Sequence, residues 1–378
     1  MSGQRLPRLA VLWDPPDEGW PSMELSAEML TAELEKGYPD QVSVQRIQPL
    51  LPRWFRRLHV GRAGALLNAD RLLGRFGKYP LLMAARRRQS DLFHVSDHSY
   101  SQLVHVLPAA RTGVYCHDLN TFESVMGTPK ATRSLGYRAM AKVTLRGMRK
   151  AARIFVSTRQ MQSRLIASGW VDPGKVVLAP LGVAPEFLST VEGLPSGLRS
   201  RLEDRRYILH VGSSIPRKRL DVLFDVFSEL RREQPDLLLV QVGATLTPAQ
   251  ATQVRTLGLG EALFQSGHLT RAQMAALYRG AALMLFPSDD EGFGLPVIEA
   301  LACACPVLTS DLPTLREAGG EAVSYCPVGD VSSWASKALA LLQNPASGPT
   351  AERRAEQAAK YRWAHHARVI WESYRSLL

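Results

Sequence analysis

The chain of 378 residues is 46% hydrophobic and 21% charged, with 46 Lys and Arg against 35 Asp and Glu. That composition excludes a disordered chain, and the length exceeds one ordinary core, so two domains of similar size are expected. No uninterrupted apolar run is long enough to span a bilayer. The cysteines Cys116, Cys303, Cys305 and Cys326 lack C-x2-C spacing and lie in apolar runs, so buried reduced thiols are expected.

In chain order, "RLAVLW" (8–13) reads as a first strand. Asp14, Pro15, Pro16 and Asp17 follow at once, without a small-residue cleavage site, so the cytosol rather than a signal peptide is expected. A helix is predicted from about Ser22 through Leu34. Residues 51–90 then carry ten Lys and Arg and a single acid, Asp70, with Leu, Trp and Phe between the arginines. Such a surface suits an anionic membrane face, and a solvated helix face is the plainer alternative. It has no recognisable nucleic-acid motif, so nucleic acid ranks lower. The charge excess belongs to the first half. Residues 1–190 hold 26 basic against 15 acidic residues, and the remainder balances at 20 of each.

"DLFHVS", "TGVYCHD", "ARIFVST" and "KVVLAPLGV" continue the first series of strands, with helical stretches between them. "RRYILHVG", "DLLLVQVG", "ALFQSGHL", "ALMLFPS" and "CPVLTS" repeat the scheme. Buried strands alternating with helices predict parallel sheets, here in two α/β units. The polar, turn-rich residues 184–204 read as the linker, giving domains at 1–185 and 186–360 and a terminal helix at 361–378. Two Rossmann-like units facing each other would form a cleft, with ligands at the carboxyl ends of the strands.

Two loops in the second unit suggest chemistry. After "YILHVG", Gly212 and Ser213 lead to Arg217, Lys218 and Arg219 just before a helix predicted from Leu220. Cations beside free helix amides favour a phosphate, although a basic triplet is also a common solvated loop. In "FPSDDEGFGLPVIEALACACPV", Gly292 and Gly294 permit close backbone approach. Pro296 suits a first helical position, so a helix is predicted from Leu295 or Pro296. Glu291 and Glu299 bracket that start. A surface turn and a helix-dipole acid are their plain readings, but carboxylates beside an anion site also suit hydroxyl pairs. A phosphate flanked by polyols is the outline of a nucleotide sugar.

"EGFGLPVIE" resembles the Glu-x7-Glu signature of the retaining glycosyltransferases of family 4, which have the GT-B fold. "ARIFVSTRQMQSRLIASGWVDPGKVVLAPLGVAPEF", "ILHVGSSIPRKRLDVLFDVF" and "AALYRGAALMLFPSDDEGFGLPVIEALACACPVLTSDLPTLREAGGEAV" follow the family pattern in order. "YRWAHHARVIWESYRSLL" resembles its helix that crosses back to the N-terminal domain, and "VGSSIPRK" is similar to a mannosyl and hexosyl subgroup of polysaccharide assembly.

The resemblance implies roles. Glu299 would hold ribose hydroxyls. Glu291, with the amides of Gly292, Phe293, Gly294 and Leu295, would meet the donor hexose, and Lys218 with Arg217 would neutralise the departing diphosphate. His117 would face the reacting sugar. Without the family it is equally a strand-end residue bonded to the backbone. Two departures stand out. Ser213 occupies a position where family members often have arginine, and the first loop has Gly19 alone instead of a glycine pair, with Trp20 narrowing an expected acceptor side.

The implied protein is a metal-independent, cofactor-free hexosyltransferase. Its partners would be a nucleotide sugar, with GDP-mannose ahead of UDP-hexose, and a saccharide or lipid-linked acceptor. It would be cytoplasmic or peripheral on the inner face of the cell membrane. No Asp-x-Asp pair is placed for a metal, and Ser288–Asp290 reads as a turn. A retaining glycosidase, a nucleotide-sugar epimerase of the same fold and a non-catalytic membrane adaptor are the competing classes.

Overall fold

The computed structural model describes residues 5–52, 54, 63–126, 134–189, 193–194, 196–243 and 245–378. The chain divides into unit 1, Met1–Gly182 with Trp363–Leu378, and unit 2, Val183–Arg362.

Unit 1 has one parallel sheet of β1 (Arg8–Leu12), β2 (Ser43–Ile47), β3 (Leu92–Val95), β4 (Thr112–Cys116), β5 (Arg153–Val156) and β6 (Val176–Leu178). Their spatial order is β2-β1-β3-β4-β5-β6. β1, β3, β4 and β5 are almost wholly buried, as expected where helices cover both faces. The core packs Phe93, Val114, Ile154, Tyr100 and Met148.

The helix Trp363–Arg375 belongs to this unit. Its Tyr374 hydroxyl donates to the Phe93 carbonyl at 3.1 Å and accepts from His94 Nδ1 at 3.0 Å. Trp371 Nε1 donates to Gln41 Oε1 at 3.2 Å. Gly113 is required beneath it, because a Cβ there would lie 2.3 Å from the Tyr374 hydroxyl.

Unit 2 repeats the scheme with β7 (Tyr207–Val211), β8 (Leu238–Val242), β9 (Leu263–Ser266), β10 (Leu283–Phe286), β11 (Val307–Ser310) and β12 (Ser324–Cys326). The order is β12-β11-β10-β7-β8-β9, all parallel. This is the doubly wound order, and its switch point lies between β7 and β10. In unit 1 the corresponding reversal lies between β1 and β3. All four cysteines are free and buried.

The residues read as a linker are not one. Pro185–Leu188 and Ser196–Leu202 are short helices, and Phe187, Leu198 and Leu202 are buried within unit 2. The polar residues that suggested a linker are the outward faces of these helices. The units change over at 182/183 and again at 362/363.

Of the basic stretch, residues 53 and 55–62 lie outside the described residues. The remainder forms helix Ala63–Leu73, a wide turn Gly74–Lys78 and helix Tyr79–Arg86. Arg71 and Arg75 turn inward to Glu18, at 3.4 Å each, so these two cations serve the interior. No helix among the described residues is long and apolar enough to cross a membrane.

Candidate functional site

The switch point of unit 2 brings together residues 73 apart in sequence. β7 ends at Val211, and the half-buried Gly212 and Ser213 follow it. A 3-10 turn, Pro216–Lys218, presents the two cations. Arg219 adopts a left-handed conformation (φ +49°) and opens the helix Leu220–Glu233. That helix is held by its apolar face of Leu220, Leu223, Phe224, Phe227 and Leu230.

Across the switch point, Glu291 follows β10 and is buried. Lys218 Nζ donates to Glu291 Oε1 at 2.5 Å, and Arg217 Nη1 lies 3.3 Å from Oε2. Arg217 also donates to the Asp290 carbonyl at 2.8 Å, and its own carbonyl accepts from the Asp289 amide at 2.9 Å. The two loops are thereby stitched together. Burial pushes the Glu291 carboxyl up, but the charges of Lys218 and Arg217 win and hold it below the usual carboxylate range. Lys218 Nζ also lies 4.9 Å from the centre of the Phe286 ring.

The helix Leu295–Ala302 begins at Gly294, whose φ of +93° and 2.7 Å approach of a virtual Cβ to Leu315 exclude other residues. Pro296 stands in its first turn, and no side chain caps its amides. Phe293 is buried edge-on to Tyr361, with centroids 5.4 Å apart, which anchors the loop between Gly292 and Gly294.

Glu299, one turn further, accepts from the Tyr278 hydroxyl at 3.0 Å and does not join the cation cluster. Burial pushes its carboxyl up to about 7, while Tyr278 and Arg271 pull the other way. A raised carboxyl pKa means that the folded state holds a proton the unfolded chain has lost. Glu299 therefore costs stability increasingly as pH rises from about 4.5 to about 7, and no further change follows above that. Glu299→Gln is expected to raise Tm by about 3 °C or more at pH 8 and much less at pH 4.5, in melts of the two proteins side by side. Equal shifts at the two pH values would contradict this.

His210, central in β7 and fully buried, donates from Nδ1 to the Leu285 carbonyl at 3.0 Å, and its Nε2 has no hydrogen-bond partner. Burial lowers its pKa to about 4, so it is neutral. A Cβ on Gly212 would come within 3.1 Å of that nitrogen, so glycine keeps the loop low over β7.

The remaining predicted residues lie in unit 1. His117, just beyond β4, is buried; Nε2 donates to the Ser96 carbonyl at 2.8 Å, and burial lowers its pKa. The structure thus gives His117 the backbone bond of its plain reading. Gly19 (φ +68°) closes the turn Pro16–Glu18, and Trp20, about half exposed, precedes the helix Pro21–Gly37.

Sequence reasoning missed the charged cluster beside them. Glu18, buried, pairs with Arg71 and Arg75 and accepts from the Tyr100 hydroxyl at 2.7 Å. Asp97 accepts from the Ser99 amide at 2.8 Å and lies 3.2 Å from His98 Nδ1. Asp14 is buried next to Asp97. β1 and β3 pair with Leu12 opposite Val95, which brings Asp14 level with Asp97 two residues on. The available signal was two acids, each two residues beyond a strand.

The class of fold follows from comparison with solved structures. The protein has the GT-B fold of glycosyltransferases. HepE of Anabaena, solved with UDP and glucose, superposes with a TM-score of 0.73 at 17% identity, covering 97% of this chain and 99% of that one. Sucrose-phosphate synthase of Thermosynechococcus elongatus gives 0.73 at 19%, covering 99% of each.

More particularly, residues 199–361 match the family model for glycosyl transferases group 1, a span that contains every predicted donor-side residue. D-inositol 3-phosphate glycosyltransferase of Kineococcus radiotolerans is 33% identical over 251 residues, 60% of this chain, and the match spans 57% of that protein's length. O-antigen chain mannosyltransferase B of Escherichia coli is 26% identical over 326 residues, 82% of this chain and 84% of that protein.

Proposed function

We propose that the chain is a retaining, metal-independent hexosyltransferase that moves a sugar from a nucleotide-diphosphate donor to a saccharide or lipid-linked acceptor in cell-surface polysaccharide or glycolipid synthesis. The observation that carries this reading is the Lys218–Glu291–Arg217 cluster at the carboxyl ends of β7 and β10, within the segment that matches the family model. GDP-mannose is the preferred donor and UDP-hexose the second, a ranking supported by the likeness to a mannosyltransferase.

In this reading the donor diphosphate draws Lys218 and Arg217 from Glu291, and the released carboxylate accepts from hexose hydroxyls. Amides at the start of helix Leu295–Ala302 share the phosphate charge. Glu299 takes the ribose hydroxyls. The anomeric carbon–oxygen bond to the diphosphate breaks as the acceptor hydroxyl adds on the same face. The hydroxyl proton passes to the leaving diphosphate oxygen. These two side-chain cations supply the charge that a metal would otherwise bring. The rest of the basic stretch 51–90 suits an acceptor carried on an anionic membrane at the inner face.

A thermal-shift panel of GDP, UDP, ADP and their sugars tests the reading. A ligand present at 100 times its Kd stabilises the fold by about 2.7 kcal/mol, so one base is expected to give a clear shift. No shift with any nucleotide would overturn the transferase assignment.

A further inference from the structure

The imidazole of His210 has one nitrogen committed and one idle. Nδ1 faces the Leu285 carbonyl at 3.0 Å, and a carbonyl can only accept, so the ring proton sits on Nδ1. Nε2 of the neutral ring is then a bare lone pair, an acceptor without a hydrogen of its own. It is buried and has no hydrogen-bond partner. A buried acceptor left in that state carries its full desolvation penalty. Packing does not call for an imidazole here. The ring stacks on Phe286 with centroids 6.2 Å apart and planes 26° apart, which a phenyl ring would do equally.

Gly212 shows what the lone pair faces. The point that a Cβ on residue 212 would occupy lies 3.1 Å from His210 Nε2, 3.6 Å from Lys218 Cδ and 3.7 Å from Lys218 Cε. The nitrogen and the lysine stem therefore line one hollow, which glycine at 212 keeps open. Two nearby donors are committed elsewhere. The Gly212 amide donates to the Val242 carbonyl at 2.9 Å, and Gln241 Nε2 donates to the Gly212 carbonyl at 3.2 Å. Lys218 is different, because an ammonium has three N–H donors and the Glu291 carboxylate takes one of them.

We propose that His210 is a positioning residue for Lys218, its Nε2 accepting an N–H of the ammonium when that side chain leaves Glu291 for a bound diphosphate. The proposal rests on the transferase reading above, which assigns the diphosphate to Lys218. An ammonium drawn from Glu291 has a long flexible stem and many orientations. With Nε2 beneath it, one N–H is anchored to the sheet and two remain for phosphate oxygens. The anchor is rigid, since β7 lies between β8 and β10. The charge state agrees. Burial and the charge of Lys218 lower the His210 pKa to about 4 against the opposing Leu285 bond and Glu291, so the lone pair is available at neutral pH.

Calorimetric titration of the full chain with GDP, UDP and ADP is the test. His210→Phe keeps the ring and removes the lone pair. It is expected to weaken the best-bound nucleotide about tenfold, whereas His210→Gln, which retains an acceptor oxygen, stays within about threefold of wild type. In a Lys218→Ala background, His210→Phe is expected to change the affinity by less than about twofold. A histidine that only supports the strand would give the same loss in both backgrounds. That result, or wild-type affinity in His210→Phe, would overturn the proposal. A second readout needs no change at 210. In protein carrying ¹⁵N-histidine, the His210 Nε2 resonance is expected to move upfield on saturation with nucleotide, and to stay put in Lys218→Met. An unmoved resonance in wild type removes the positioning role alone. No binding of any of the three nucleotides by wild type overturns the transferase reading and this proposal with it.

Discussion

Lys218→Ala is expected to lower kcat for sugar transfer about 10²–10³-fold, equivalent to ~2.7–4 kcal/mol of barrier. The magnitude follows from the Lys218 environment, where the side chain is nearly buried against Phe286 and held at Glu291. A preorganised cation in such surroundings stabilises leaving-group charge with no reorganisation of solvent.

The same substitution has a second effect, because it leaves Glu291 buried with Arg217 as its remaining cation. Breaking a buried pair costs about 3–5 kcal/mol, and the retained Arg217 places this case at the lower end. The two effects separate in the double variant Lys218→Met with Glu291→Gln. It leaves no buried charge uncompensated, since Arg217 is partly exposed, so melts are expected to recover toward wild type while kcat stays low. A folded Lys218→Ala protein with kcat within threefold of wild type would remove Lys218 from the mechanism.

The second large effect is expected at Gly243, which no sequence argument singled out. It directly follows β8 with a φ of +139°, and a Cβ there would lie 2.1 Å from the Gly212 carbonyl oxygen and 2.8 Å from its carbon. That neighbour is backbone and cannot rotate away. Gly212 is held besides by its amide bond to the Val242 carbonyl at 2.9 Å and by Gln241 Nε2 at 3.2 Å.

Gly243→Ala is therefore expected to cost ~3 kcal/mol or more in strain and displacement. For a unit of this size that is a fall of about 6–12 °C in Tm. Displacement of Gly212 moves the loop that the proposed function assigns to the diphosphate, so nucleotide stabilisation is expected to be lost as well. Gly258→Ala is the control. Its φ of +67° is strained for alanine, but nothing lies within 4 Å, so about 1 kcal/mol is expected there. Equal Tm losses in the two variants would show that the contact with Gly212 is not what matters.

The sequence was most informative where burial on both faces forces a near-continuous apolar run. Eight strands were legible for that reason, and the edge strands β6 and β9 were legible although they are only partly buried. β2 was not, because "SVQRI" is an edge strand whose central residues face outward. β12 has only three residues. The helix starts at Leu220 and Leu295 were legible from a basic turn and from Gly-x-Gly-x-Pro. What could not be read was which charges would meet. Glu291 was separated from Lys218 in the sequence argument as belonging to a different ligand, yet the strand order places β10 beside β7 and the two side chains in contact. Asp14 and Asp97 became neighbours by the same logic in unit 1. Non-local pairing of strands decides such meetings, and local pattern carries no information about it.

The return of the last helix to unit 1 also fixes an order of events during synthesis. Unit 1 is built from two separated stretches of chain, with all of unit 2 between them. Its sheet is complete once Leu178 is made, but Gly113 leaves a gap over the strands that Tyr374 fills beside Phe155, and Trp371 is also buried. The first unit to begin emerging from a ribosome is therefore the last to finish folding. Until residue 374 is released it keeps an apolar groove over β3, β4 and β5, while unit 2, continuous from Val183 to Arg362, can close beforehand.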